Sequence, residues 1–187
     1  MKILYLHGLN SAFNPNNEKV LELEKIGEVI AFSYDSLSSP ASIEKVISTF
    51  IVEADIEALA GTSYGGYWAM ILGKKFKLPS IAINPAIEPK HALTRAVIKN
   101  KGIFVNYVTG ACETMQVGVQ WEFKKVCADF EPMPLIAVDL EDEVIDSHKT
   151  IESIGVPVIA YAGGSHRFDH MKSFAEHVRV YLSEINE

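Results

Sequence analysis

Short apolar, β-rich runs alternating with helical patterns constrain this sequence more than any other feature. The runs fall near residues 2–6, 28–34, 56–60, 79–84, 134–140 and 156–161. Three of them, Ile3-Leu4-Tyr5-Leu6, Val29-Ile30-Ala31-Phe32 and Leu135-Ile136-Ala137-Val138, are nearly continuous in apolar residues. Strands buried on both faces read this way, whereas a half-exposed antiparallel sheet alternates apolar with polar. Between the runs, Ser39 and Pro40 supply an N-cap and first helical position, and Ile43, Ile47, Phe50 and Ile51 follow at helical spacing. The same reasoning predicts helices near 17–26, 65–76, 146–153 and 168–184, the last with a stripe of Met171, Phe174, Ala175, Val178 and Tyr181 or Leu182. The expectation is an α/β fold with a mainly parallel sheet of about six strands and helices on both faces.

A length of 187 residues corresponds to one domain, residues 1–187, and 48% apolar residues suffice for a real core. Residues 86–133 break the alternation. They carry helical patterns around 89–99 and 114–128 and one ambiguous run, Ile103-Phe104-Val105. This excursion is expected to be either a helical cap over the C-terminal edge of the strands, where open α/β sheets bind ligands, or a peripheral helical pair. Seventeen Lys and Arg against 24 Asp and Glu give a net charge of −7, and the basic cluster Lys74, Lys75 and Lys77 is interleaved with apolar residues. Solvated helix faces are expected there, with neither a nucleic acid nor a membrane as partner. Cys112 and Cys127 lack the paired spacing of a zinc or redox motif, and two cysteines make no disulfide framework, so buried or idle thiols are expected. The N-terminal apolar run is too short for a signal segment and no membrane-length stretch appears, which leads to a cytoplasmic expectation. Nothing in the sequence assigns an oligomeric state.

The most specific chemical signal is Gly61-Thr62-Ser63-Tyr64-Gly65-Gly66, directly after the run Ile56–Ala60 and before the helical run from Tyr67. It fits G-x-S-x-G in the strand-turn-helix context that pattern needs. The nucleophilic serine sits on a sharp turn, and glycines two residues to either side remove Cβ atoms that would collide. A phosphate loop is excluded because no G-x-x-x-x-G-K-[ST] is present, and a dinucleotide fingerprint because its middle glycine is missing.

Serine is a weak nucleophile until a base and an orienting carboxylate activate it. Of the six histidines only His166, in Ala162-Gly163-Gly164-Ser165-His166, closely follows the C-terminal end of a predicted strand, and it is the candidate base. His170 and His177 fall on the predicted last helix, as surface or hydrogen-bonded side chains, and His91 and His148 fall in helical segments. His7 ends the first strand before Gly8 and suits an oxyanion loop better. For the acid, Asp139, Asp142 and Asp146 compete. Asp142 lies just beyond its strand on a loop facing the histidine loop, Asp139 still belongs to the strand, and Asp146 reads as a helix N-cap. Ser63, Asp142 and His166 then follow the chain order of α/β-hydrolases. The oxyanion hole needs the N–H of Tyr64 and one from the loop His7-Gly8-Leu9-Asn10-Ser11, for which Leu9 is the candidate, with Asn10 behind it.

These blocks together, with Ile83-Asn84-Pro85-Ala86, Asp142–Asp146 and Gly163–His166, resemble the YqiA-like small esterases, which are compact α/β-hydrolases. The resemblance spans almost the whole chain and implies Ser63 as nucleophile, Asp142 as acid and His166 as base. Three positions depart from the family pattern: Glu141 stands where a glycine is usual, and Ser165 and Arg167 make Ser165-His166-Arg167-Phe168 of Asn-His-Ala-Phe. Arg167 either faces the site, where it can lower the His166 pKa or bind an acidic substrate group, or is an ordinary exposed arginine. The expected activity is hydrolysis of a small-molecule acyl ester or thioester through an acyl-enzyme, without metal or organic cofactor. An amidase or carbon–carbon hydrolase would use the same machinery, and a binding protein could keep the fold without the chemistry. Phe104, Tyr107, Met115 and Trp121 would line an acyl pocket or pack among themselves.

Overall fold

The computed structural model describes residues 1–118 and 121–185. Six strands, β1 (Lys2–Leu6), β2 (Glu28–Ile30), β3 (Ala58–Thr62), β4 (Ser80–Ile83), β7 (Leu135–Asp139) and β8 (Ile159–Tyr161), form one sheet in the order β2-β1-β3-β4-β7-β8. Every pairing in it is parallel. Two further short strands, β5 (Ile103–Val105) and β6 (Cys112–Thr114), make a separate antiparallel hairpin.

The pleat of β1 sorts the core. Ile3 and Tyr5 face the layer of α1 (Glu18–Glu24) and α6 (Met171–Ile185), against Val20, Leu23, Met171, Phe174 and Val178. Leu4 and Leu6 face the other layer, against Ile43, Ile47 and Ile51 of α2 (Pro40–Glu53) and Tyr64, Tyr67 and Trp68 of α3 (Tyr64–Phe76). α5 (Ser147–Ile154) closes this second layer through Ile154, which packs with Met70, Ala82 and Ile136. Both faces of the sheet are therefore covered, which is why its central strands are mostly apolar. The chain runs from β1 outward to β2 and then returns to β3 on the opposite side of β1. The crevice at that reversal, beyond the C-terminal ends of β1 and β3, is where open α/β sheets take ligands.

The excursion differs from its sequence expectation. α4 (Pro89–Lys99) lies where a helix is predicted, but residues 115–118 and 121–128 hold no helix. Gly118 has φ +92°, the Lys124 carbonyl is taken by the Tyr67 hydroxyl at 2.9 Å, and Phe123 and Val126 pack on the α3 layer. Residues 119 and 120 of that predicted helix lie outside the described residues. Ile103-Phe104-Val105 is a strand, with Phe104 buried between two exposed neighbours. Phe104 joins Leu37 and Val97, with Leu9 and Met115 against them, while Tyr107 is exposed and Trp121 lies against Phe123. Cys112 and Cys127 are free and exposed, so the buried alternative does not hold. β2 is shorter than predicted, because residues 31–34 leave the sheet to bring Tyr34 onto His7. α6 begins only after His170, since Phe168 at φ +62° cannot continue a helix. Among the described residues no helix is long and apolar enough to cross a membrane.

Candidate active site

The turn from β3 into α3 is as tight as the glycine spacing demands. A Cβ on Gly61 would lie 2.2 Å from the Gly65 carbonyl oxygen, and one on Gly65 would lie 2.0 Å from that of Leu6. No side chain fits at either position. Ser63, between them, has φ 56° and ψ −119°, a conformation costing a non-glycine residue on the order of 1–3 kcal/mol. The surroundings enforce it: the Ser63 N–H donates to Ile83 O at 2.9 Å, and its carbonyl accepts from Ala86 N at 3.0 Å and Tyr67 N at 3.2 Å. Its hydroxyl does not cap α3. Among the described residues that hydroxyl has no hydrogen-bond partner, His166 included; such bonds often tighten only once substrate is bound.

Ser63 and His166 line the same cavity, of about 640 Å³, together with Gly8 and Leu9 from the loop after β1. His166 Nδ1 lies 2.8 and 3.0 Å from the two carboxylate oxygens of Asp142. The Asp142 side chain is wholly buried, and its Oδ1 also accepts the N–H groups of Val144 and Ile145 at 2.7 and 2.8 Å. With Nδ1–H donated to that carboxylate, Nε2 keeps its lone pair free. Asp146 caps α5 by accepting from Lys149 N at 3.0 Å, and Asp139 closes β7, as the sequence predicts for both.

The loop after β1 is braced by His7. Its Nδ1 is 2.9 Å from Gly8 O and its Nε2 accepts from Tyr34 N at 3.2 Å, while its ring stacks on Tyr34 at 4.3 Å. One donor and one acceptor make this a neutral imidazole, and burial pushes its pKa below the ordinary histidine value. Burial likewise pushes the Tyr5 hydroxyl, beside Thr62 Oγ1 at 2.8 Å, up to about 12. The Leu9 N–H has no hydrogen-bond partner among the described residues. Tyr64, as the first residue of α3, has no intrahelical acceptor for its own N–H. Asn10 is spent elsewhere: its N–H donates to Ser36 Oγ at 2.7 Å, and its side chain binds Val105 O and Tyr107 N, tying the β5–β6 hairpin to this loop.

Two residues that the sequence reading left without a site role organise the histidine loop. The Asp139 side chain is fully buried and 2.7 Å from His170 Nδ1, and its other oxygen accepts from Asp169 N at 2.7 Å and Ser165 N at 3.2 Å. Asn84, fully buried, accepts the Asp139 N–H at 2.8 Å and donates to Ser165 O at 3.0 Å. The only signal for them in the sequence is an Asn-Pro pair and an Asp ending two apolar runs. His170, stacked on Tyr161 at 4.8 Å, is hydrogen-bonded as expected but precedes α6 and does not line the cavity. Arg167 does line it, and its carbonyl accepts the Lys19 ammonium.

A family model described as "Uncharacterised protein family (UPF0227)" matches residues 2–182. The chain belongs to the UPF0227 family. A UPF0227 protein of Vibrio parahaemolyticus is 24% identical over 186 residues, covering 95% of this chain and 96% of that one. Among solved structures, Est1E from Butyrivibrio proteoclasticus superposes with a TM-score of 0.71 at 16% identity, covering 100% of this chain and 88% of that chain. Polyneuridine aldehyde esterase gives 0.59 at 16% identity, with 100% and 99% covered. The UPF0227 chain described here therefore has the α/β-hydrolase fold.

Proposed function

We propose that this protein is a serine hydrolase that cleaves carboxylic esters or thioesters through an acyl-enzyme intermediate. The observation that carries the reading is one cavity lined by both Ser63 and His166, with His166 Nδ1 held by the buried Asp142 carboxylate. Two fold neighbours are themselves named or described as hydrolases: polyneuridine aldehyde esterase, and a hydrolase from the metagenome of lagoon sediments.

In this reading His166 Nε2 takes the proton of Ser63 as Oγ attacks the carbonyl carbon. The displaced electron pair moves onto the carbonyl oxygen, where the N–H groups of Tyr64 and Leu9 are free to donate. Collapse breaks the bond to the alkoxide or thiolate leaving group, which receives the proton from His166. Water, deprotonated in turn by His166, then attacks the acyl-serine, releasing a carboxylic acid and restoring Ser63. Asp142 keeps the imidazole in the tautomer that leaves Nε2 basic and stabilises the imidazolium. The chain itself supplies nucleophile, base and oxyanion donors, so the scheme uses no metal or organic cofactor. Within the excursion α4 serves as the cover of the site, with Ala92, Arg95, Ala96 and Lys99 lining the cavity and the hairpin tied to Asn10 beside it.

The test is a panel of aryl esters and acyl thioesters of graded chain length. Turnover in the wild type should drop about ten-thousandfold in Ser63→Ala. Turnover that survives Ser63→Ala would refute the assignment.

A further inference from the structure

The cavity at Ser63 carries the opposite charge to the protein around it. Over the whole chain acids outnumber bases, 24 to 17. The cavity walls instead carry Lys19, Arg95, Lys99 and Arg167 against one carboxylate, Glu143. Two of the five are already engaged. The Lys19 ammonium is bound to the Arg167 carbonyl, and Glu143 accepts the His166 N–H at 3.0 Å, which holds its carboxyl below the usual carboxylate range. Arg95, Lys99 and Arg167 are exposed, and among the described residues none has a carboxylate within ion-pair distance. Elsewhere Lys74 pairs with Asp129, Lys75 and Lys124 with Glu44, and Lys149 with Glu88, while Lys45, Lys77, Lys90, Lys101 and Lys125 are exposed without an ion pair among the described residues. What distinguishes Arg95, Lys99 and Arg167 is that three such cations line one cavity. Lys149 and Glu88 line a smaller cavity beside Arg95, yet even there Arg95 stays unpaired.

The arrangement follows from the α4 sequence. Ala92, Arg95, Ala96 and Lys99 recur at helical spacing on the face that lines the cavity, while Leu93 and Val97 are buried in the core. The alanines leave volume in the cavity that Ser63 lines, and Arg95 and Lys99 add cationic side chains to its wall. Arg167, immediately after the candidate base, adds a third from the histidine loop. Such a cleft in an otherwise acidic surface focuses a positive potential on the site.

Resting on the hydrolase reading above, we infer that Arg95, Lys99 and Arg167 select a substrate that bears an anionic group, a carboxylate or phosphate, besides the scissile ester. That group sits either at the far end of the acyl chain or on the leaving group, and it supplies the charge these three side chains lack.

Three esters test this: para-nitrophenyl butyrate, its counterpart with a terminal carboxylate on the acyl chain, and the butyryl ester of para-hydroxyphenyl phosphate. The quantity read is kcat/KM for each charged ester relative to the neutral one. In wild type at low ionic strength that ratio should exceed its value in Arg95→Gln/Lys99→Gln/Arg167→Gln by about tenfold or more for one charged ester, and the arm that responds locates the anion. Salt at roughly 1 M should erase most of the difference. Arg95→Glu should push the ratio further down than Arg95→Gln. Turnover of the neutral ester with ratios that stay the same in the triple variant would overturn the charge selection while leaving the hydrolase reading intact. No turnover of any of the three by the wild type would overturn both.

Discussion

Two buried aspartates hold two histidines in this fold, and by local geometry they are hard to tell apart. Asp142 lies 2.8 Å from His166 and Asp139 lies 2.7 Å from His170. Both carboxylates are wholly buried, and the two imidazoles are 25% and 32% exposed. The pairs differ in what lies beyond the imidazole. His166 opens into the cavity with Ser63, whereas His170 is covered by Tyr161 at 4.8 Å. An Asp–His pair thus identifies a candidate base only through its position relative to a nucleophile. The second pair is a clamp: Asp139 also holds the N–H groups of Ser165 and Asp169, on either side of His166.

The largest effect that separates the two pairs is on turnover. His166→Ala should lower kcat by about a thousandfold or more, as expected for loss of a general base, and His170→Ala by less than about tenfold. Comparable losses in both would erase the distinction. Stability should rank the acids the other way. Asp139→Ala strips a buried carboxylate from three donors and should cost about 3 kcal/mol in urea denaturation, whereas Asp142→Asn should act mainly on kcat. A smaller effect concerns the loop glycines. A Cβ on Gly164, at φ +78°, would lie 1.9 Å from Asp139 Oδ2, while one on Gly163, at φ +76°, meets nothing within 4 Å. Gly164→Ala should therefore destabilise by about 2 kcal/mol or more and Gly163→Ala by about 1 kcal/mol.

The smallest effect comes from a third histidine, His7, which has no carboxylate partner. Its folded pKa is depressed by burial, so on acidification the unfolded chain takes up this proton first. Stability that is full above the unfolded histidine pKa of about 6.5 is lost as pH falls through and below it. The melting temperature of His7→Gln should accordingly fall less than that of wild type between about pH 7.5 and 5.5. Parallel losses in the two proteins would contradict the neutral brace.

The sheet was legible because its central strands are buried on both faces, which writes burial directly into runs such as Ile3–Leu6 and Leu135–Val138. The nucleophile turn was legible because its steric demand falls on glycines at fixed spacing. The clamp was not, since Asn84, Asp139 and His170 are distant in sequence and meet only through the strand order. The irregular stretch before β7 misled for a related reason. Its apolar residues, Phe123 and Val126, are spaced as on a helix but pack individually, partly buried, against the α3 layer. Helical periodicity reports burial by one face, and a strap laid over a helix can imitate it. α4 read correctly as a helix, although its cationic face toward the cavity needed the fold to be seen.

The most direct test of the central claim is intact-mass spectrometry after treatment with a fluorophosphonate, which reacts with an activated serine. It would compare the wild type with Ser63→Ala, His166→Ala and His170→Ala. The account predicts a single adduct in the wild type and in His170→Ala, and none in Ser63→Ala or His166→Ala. An adduct that persists in His166→Ala and disappears in His170→Ala would contradict it and make the Asp139 pair the catalytic one.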